Sequence, residues 1–93
     1  MRRTLLPSPG FQRAARKLVK RDPSLAPDIL SALELLQEDA FDPKLRTHKL
    51  KGQLEGSWSC SAGYDLRIIF SFVQHEDAEA ILLATVGTHD EVY

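Results

Sequence analysis

The sequence predicts an α+β fold in which a small antiparallel sheet of about four strands packs against an N-terminal helical hairpin. Apolar side chains recur at helical spacing between residues 9 and 40, and at alternate positions from residue 58 onward. The segment between them, 41–58, is polar and rich in loop-forming residues. A chain of 93 residues is long enough for one modest core. We therefore expect a single domain, residues 1–93, with the element order β-α-α-β-β-β.

The N-terminal half predicts one short strand and two helices. Thr4 to Leu6 is a brief apolar stretch that Pro7 ends, and Ser8-Pro9 offers an N-cap followed by proline in the first helical turn. Asp22-Pro23 ends the first helix. The first helix has an apolar face formed by Phe11, Ala14, Ala15, Leu18 and Val19. A second helix from about residue 24 has an apolar stripe formed by Ile29, Leu33, Leu36 and Ala40.

The C-terminal half predicts three strands. Trp58, Cys60 and Ala62 alternate with serines, which indicates a strand with one apolar face and one hydroxyl face. Residues 63–65 form a turn, and residues 66–73 form the next strand. The polar segment 74–79 predicts a hairpin loop. Residues 80–86 are apolar at almost every position, which predicts a central strand buried on both sides.

Composition excludes several classes of protein. The sequence is 43% hydrophobic and 27% charged, as in ordinary globular domains, and no apolar run approaches the roughly 18 residues that span a bilayer. The apolar part of the N-terminus is too short for a signal-peptide core. The single cysteine, Cys60, forms no internal disulfide and fits a reducing compartment. We expect a cytoplasmic protein that has no membrane partner.

Charge is segregated along the chain, although the formal net charge is only −1. Residues 1–21 carry seven Arg or Lys and no acid, and residues 22–42 carry six acids and no base. Residues 43–67 are basic again, and residues 68–93 carry five acids and no Lys or Arg. If the two basic blocks meet in space, they form a positive surface. The alternative is that each is a solvated face.

Three residues could cleave RNA without a metal. Arg67 interrupts an apolar strand, where it either emerges at an anion site or reaches water at an edge. His48 lies among lysines and an arginine in RTHKLKG, and His89 follows the last strand. One histidine would take the proton of a 2′-hydroxyl, the other would protonate the leaving oxygen, and the arginine would stabilise the transition state. Sequence spacing alone leaves open whether His48 and His89 meet, and a solvated loop histidine is the alternative for His48.

Other chemistries have weaker support. The histidines lack closely spaced His or Cys partners, so we expect no metal and no cofactor. Cys60 could serve as a nucleophile with His89 as its base, but the alternation of β3 places Cys60 on the core face. His75 belongs to the hairpin loop, where a surface position is expected.

Two segments, HKLKGQLEGSWSCSAGYDLRIIF and ILLATVGTHDEVY, resemble the RelE/ParE toxin superfamily in its RelE/StbE and YafQ-like branch. PGFQRAARKLVKRDP and ALELLQEDAFDP extend the likeness over nearly the whole chain. The resemblance implies a toxin of a bacterial type II toxin–antitoxin system. It also implies metal-independent cleavage of mRNA in the A site of the 70S ribosome, which inhibits translation. Its partners would be that mRNA and a cognate antitoxin, in a higher-order toxin–antitoxin complex.

The resemblance also implies site residues. His48 and His89 match the two histidines of the YafQ-like motif, and Tyr93 matches its late aromatic residue. Asp65 matches an acidic residue before the long strand, and Arg67 is similar to an arginine of RelE-like members. Contacts to ribosomal RNA would come from the two basic blocks, through Lys44, Arg46, Lys49, Lys51, Arg13, Arg16, Lys17 and Lys20.

The chain departs from the family pattern at two positions. Thr85 stands where YafQ-like sequences have an arginine, and no histidine is present near Ser61. Arg67 would then supply the missing cation. Two alternatives remain: a ParE-like inhibitor of DNA gyrase, and an inactive relative that only binds antitoxin or RNA. The histidines and Tyr93 argue against the gyrase inhibitor, and the two departures keep the inactive relative open as an alternative.

Overall fold

The structure, a computed structural model, describes the backbone of residues 2–93 and their side chains except that of Gln53. It confirms the α+β class. The helices are α1 (Pro9–Arg21), α2 (Leu25–Glu38) and α3 (His89–Val92). The strands are β1 (Leu5–Pro7), β2 (His48–Lys49), β3 (Trp58–Ala62), β4 (Leu66–His75) and β5 (Ala78–Thr88). Short 3₁₀ turns at Pro43–Leu45 and Gly52–Leu54 flank β2.

The strands form one five-stranded sheet in the order β1-β5-β4-β3-β2. The prediction of a purely antiparallel sheet is wrong at one edge, because β1 runs parallel to β5, with Leu6 opposite Leu82. All other pairs are antiparallel. The fifth strand is β2, two residues long, which lies within the segment predicted as a loop. It forms because His48 and Lys49 pair with Ser59 and Trp58 of β3.

The start of α1 follows the prediction. The Ser8 hydroxyl accepts a hydrogen bond from the Phe11 amide, and Pro9 occupies the first turn, where no amide proton is needed. The same hydroxyl donates to the Ala84 carbonyl of β5 at 3.1 Å. One side chain therefore caps the helix and ties its first turn to the sheet.

The core lies between the helices and one face of the sheet. Leu66, Ile68 and Phe70 of β4 face α1 and α2, and Phe11, Leu18, Ile29 and Leu36 of the helices are buried in the same cluster. The residues between them in β4, Arg67, Ile69, Ser71 and Val73, point to the opposite side, which we call the open face.

Strand β5 is not buried on both sides, contrary to the prediction from its apolar sequence. Ile81 and Leu83 are buried on the helix side, whereas Leu82, opposite Ser71 on the open face, is 37% exposed. The register of β5 also shifts, since Ile69 pairs with Thr85 and Phe70 with Leu83. Ala84 is the extra residue of this bulge, which lets Leu83 and Val86, three positions apart, both reach the core.

The hairpin between β4 and β5 is tighter than the predicted loop 74–79. Glu76 and Asp77 both have positive φ, 50° and 64°, the signature of a two-residue turn that matches the twist of the flanking strands. His75 therefore pairs with Ala78, and the ladder extends almost to the tip. His75 is exposed there, as expected.

Candidate active site

The open face carries a row of polar residues across three strands. His48 pairs with Ser59, and Ser59 pairs with Ile69, so their side chains share one face. The next row contains Ser61 opposite Arg67, which in turn lies opposite Gly87. Residues two apart on a strand are about 7 Å apart. The strand register thus places His48 and Arg67 in neighbouring rows.

Helix α3 folds back over this face. Its N-cap, Thr88, accepts a hydrogen bond from the Glu91 amide, and the Glu91 carboxylate accepts one from the Thr88 amide at 2.8 Å. This capping box satisfies two amides that would otherwise lack partners. A Cβ at Gly87 would lie only 3.1 Å from the side chains of Glu91 and Val92, so glycine allows α3 to approach the strand.

Tyr93 extends the cover to β3. Its hydroxyl donates a hydrogen bond to the hydroxyl of Ser59, which is 0% exposed. The ring of His89, one helical turn earlier, packs edge-on against the Tyr93 ring with centroids 4.6 Å apart. The structure therefore links His48, Ser59, Tyr93 and His89 into one cluster, which we call the histidine cluster.

The two histidines present different atoms. Nδ1 of His48 lies 3.1 Å from the Arg46 carbonyl oxygen. A carbonyl can only accept, so Nδ1 carries the proton, and in the neutral ring Nε2 keeps its lone pair. His89 is largely exposed, and its Nδ1 lies 3.6 Å from a carboxylate oxygen of Asp90. His48 can accept a proton at Nε2, and both rings are accessible from solvent.

Arg67 is half-buried on the open face, and its guanidinium donates to the Leu66 carbonyl at 2.9 Å. Within residues 2–93 it forms no ion pair with a carboxylate. A half-buried guanidinium without an anionic partner is suited to binding a phosphate.

Cys60 points into the core, where it is 0% exposed. Burial raises the pKa of its thiol to about 12, although the nearby Arg67 guanidinium acts in the opposite direction. The thiol therefore stays protonated at neutral pH, and the nucleophilic alternative has no geometric support.

Asp65 precedes Leu66, which pairs with Thr88, the residue before His89. It is exposed in the turn before β4 and lines a groove of about 370 Å³ together with Arg21, Asp28 and Thr88. No hydrogen bond or ion pair among the described residues joins it to His48 or His89. The structure thus gives Asp65 no contact through which it would orient either histidine.

The two basic blocks lie at opposite sides of the sheet instead of meeting. Helix α1 packs against β5, whereas β2 and the turn Pro43–Leu45 pack against β3. All eight predicted RNA-contacting side chains are exposed: Arg13, Arg16, Lys17, Lys20, Lys44, Arg46, Lys49 and Lys51. Lys17 lines a groove with Thr85 and Glu91, and Lys51 lines another with Val92 and Tyr93. A lysine therefore flanks α3 on each side.

Sequence reasoning missed Ser59, Gly87 and α3 itself. The motif Thr88-His-Asp-Glu91 has the spacing of a capping box and could have indicated the helix. The role of Ser59 carries no such signal, because it depends on a contact between residues 34 positions apart.

No group of three His, Cys, Asp or Glu side chains within the described residues could hold a metal ion. No helix of the described chain is long and apolar enough to cross a bilayer.

Several solved structures have the same fold as this chain. A crystal structure of YafQ from E. coli strain BL21(DE3) superposes with a TM-score of 0.78 at 15% identity, covering 98% of each chain. YafQ in the E. coli DinJ-YafQ toxin-antitoxin complex gives 0.76 at 16% identity, covering 100% of this chain and 99% of that one. The YoeB dimer from Staphylococcus aureus gives 0.71 at 20% identity, covering 96% and 99%.

The sequence identifies the family. Residues 3–93 match the family described as the bacterial toxin of type II toxin-antitoxin system, YafQ. The chain therefore belongs to the YafQ family of type II toxins, which confirms the resemblance predicted from the sequence. A comparison with curated protein sequences finds no significant match.

Proposed function

We propose that this toxin is a metal-independent mRNA endoribonuclease that cuts mRNA in the A site of a translating ribosome. The observation that carries the proposal is the histidine cluster, in which Ser59 and Tyr93 connect His48 of β2 to His89 of α3. Two imidazoles beside an arginine without a carboxylate partner are the groups that metal-free phosphoryl transfer needs.

His48 is the general base in this proposal. Its Nδ1 proton is engaged by the Arg46 carbonyl, so Nε2 is the atom that accepts the proton of the 2′-hydroxyl. The 2′-oxygen then bonds to phosphorus, and the 5′-oxygen leaves with a proton donated by His89. The products are a 2′,3′-cyclic phosphate, which water can open to a 3′-phosphate, and a 5′-hydroxyl end.

Arg67 stabilises the additional negative charge on the phosphorane. It lies in the row next to His48 and has no carboxylate partner among residues 2–93. Lys17 lines the groove beside Thr85, so a cation is also present near the position where the family pattern has an arginine. These two side chains offset the departures at Ser61 and Thr85.

The partners follow from the same family. The DinJ-YafQ structure is a toxin-antitoxin complex, and we propose that this chain likewise binds a cognate antitoxin. The exposed basic residues on both sides of the sheet would bind ribosomal RNA by neutralising phosphates.

Primer extension on a reporter mRNA in a translating extract tests the nuclease. The wild-type chain should give discrete cuts in the reading frame, and His89→Ala should abolish them. His75→Ala is the matched control, because His75 is exposed in the β4–β5 hairpin, remote in the sheet from the histidine cluster. An intact message with wild-type protein would refute the nuclease. Inhibition of DNA supercoiling by gyrase would then support the gyrase inhibitor instead.

A further inference from the structure

Among the side chains that the structure describes, Ser59 is the one polar side chain that is fully buried. A buried hydroxyl is costly unless it is hydrogen-bonded, so its partner matters. That partner is the Tyr93 hydroxyl, which donates to the Ser59 oxygen. Ser59 lies directly across the ladder from His48, so the bond connects the end of α3 to the strand that faces the other histidine.

We propose that Ser59 is a positioning residue that engages the phenolic proton of Tyr93, so that Tyr93 orients His89 and does not itself transfer a proton. The proposal rests on the nuclease function above and assigns a task to two residues of its site. While the phenol donates to Ser59, its single proton is not available to a leaving oxygen. What Tyr93 offers the site is its ring, against which His89 packs.

The geometry of α3 explains why such an anchor is needed. The helix has four residues, far fewer than an isolated helix needs to persist in water. Its N-terminal end is held by the capping box. Its C-terminal end is held to the sheet by the bond from Tyr93 to Ser59. Without that bond the His89 ring would lose its fixed neighbour.

A double-mutant cycle on single-turnover cleavage distinguishes positioning from proton transfer. The variants are Ser59→Ala, Tyr93→Phe and the two combined, assayed with toxin in excess over mRNA-loaded ribosomes. We expect each single change to lower the maximal rate by about 10-fold to 100-fold, with the half-saturating toxin concentration nearly unchanged. The double variant should be no slower than the slower single variant, because both changes break the same bond.

Two matched variants complete the cycle. Ser71→Ala changes another serine on the open face, on β4 opposite Leu82, and should leave the rate unchanged. Ser59→Thr keeps the hydroxyl and should restore most of the rate lost in Ser59→Ala. If Tyr93→Phe abolishes cleavage while Ser59→Ala does not slow it, Tyr93 transfers a proton and the proposal is wrong. Rate losses that multiply in the double variant would also refute it.

A second measurement tests the positioning role of Ser59 without a cleavage assay. The ring-proton NMR shifts of His89 depend on the nearby Tyr93 ring, so Ser59→Ala and Tyr93→Phe should move them alike, and Ser71→Ala should not. Unchanged His89 shifts in Ser59→Ala would overturn the positioning role. If the His89 shifts move as expected in the variants but the wild-type protein does not cut mRNA, the anchoring role of Ser59 is supported and the nuclease function is rejected.

Discussion

The ring of His89 packs edge-on against the ring of Tyr93, with the two planes 77° apart. The residues are four positions apart, so the contact exists only while α3 is helical. The helix in turn depends on its capping box, on an ion pair between Glu91 and Arg21 at 3.6 Å, and on the absence of a side chain at Gly87. The arrangement of the histidine cluster is therefore set by residues outside it.

Replacing Gly87 with alanine should have a larger effect on the rate of cleavage than on the thermal stability of the fold. The new Cβ would lie 3.1 Å from both the Glu91 Cβ and the Val92 Cγ1, so α3 must move by a few tenths of an ångström. Displacement of a catalytic group on this scale should slow cleavage by about 10-fold or more. Single-turnover rates and thermal unfolding midpoints measure the two effects.

Gly10→Ala is the matched control for Gly87→Ala. A Cβ there would meet only the Ala84 carbonyl oxygen at 3.4 Å and the Ser8 hydroxyl at 3.7 Å, so activity should be preserved. Equal activity of Gly87→Ala and wild type would show that cleavage does not require the present position of α3.

Changing the leaving group should separate the roles of the two histidines. A substrate with sulfur in place of the scissile 5′-oxygen releases a thiolate, which needs no proton from a general acid. We expect this substrate to restore cleavage by His89→Ala and to leave His48→Ala inactive, since a 2′-hydroxyl still requires a base. Rescue of His48→Ala instead would mean that the assignments of acid and base are reversed.

Sequence patterns predicted the elements whose residues alternate between core and solvent. The Ser8 cap and the burial of Ile29 and Leu36 in α2 depend on neighbours along the chain, and the structure confirms them, although Ala40 of the predicted stripe lies beyond the end of the helix. The alternation in β3 holds for the core face, but Ser59 of the opposite face is also buried. The parallel pairing of β1 did not follow from sequence, because three apolar residues can pair with an edge in either direction. The two-residue turn at Glu76-Asp77 was not predicted, because the flanking residues Gln74, His75 and Glu79 are polar like those of a loop although they pair in the ladder.

The candidate site was predicted in part for the same reason. His48, Arg67 and His89 stand out locally, as charged or titratable residues at unusual positions in strands and loops. The position of Ser59 between its strand partner His48 and the Tyr93–His89 ring pair depends on β3 and α3 packing together, which no local pattern encodes. The separation of the basic blocks likewise follows from strand order, with β4 between β5 and β3.

Helix α3 should loosen as the pH falls. The pKa of Glu91 is lowered chiefly because its carboxylate accepts from the Thr88 amide, with smaller contributions from the Thr88 hydroxyl and from Arg21, while partial desolvation opposes them. A carboxyl whose pKa is lower in the folded chain stabilises the fold above its unfolded value of about 4.3, and this contribution is lost as the pH falls through the folded value. Hydrogen exchange of the Thr88 amide should therefore accelerate, relative to intrinsic rates, as the pH falls below about 4.3.

Glu91→Gln provides the comparison for that titration. The amide oxygen still accepts from Thr88 but has no charge to lose, so protection should be weaker at neutral pH and nearly independent of pH below it. Asp90→Asn removes the neighbouring carboxylate, which is fully exposed and takes no part in the capping box, and should keep the wild-type response. Identical pH responses in wild type and Glu91→Gln would exclude Glu91 as the group that holds α3.

Salt dependence should test whether Lys17 and Lys51 contribute to the proposed binding of the ribosome. Lys17 and Lys51 flank α3 from opposite sides and have no ion-pair partner among residues 2–93. If each neutralises one phosphate, replacement by alanine should weaken ribosome binding and reduce the slope of log affinity against log salt by about 1, between about 50 and 200 mM. The double variant should reduce the slope by about 2, because separate phosphates contribute additively.

His75→Ala, in the remote hairpin, should leave the slope unchanged. A slope equal to wild type in Lys17→Ala alone would restrict the ribosome-binding surface to the β2 side of the sheet, and equal slopes in both single variants would contradict binding across α3.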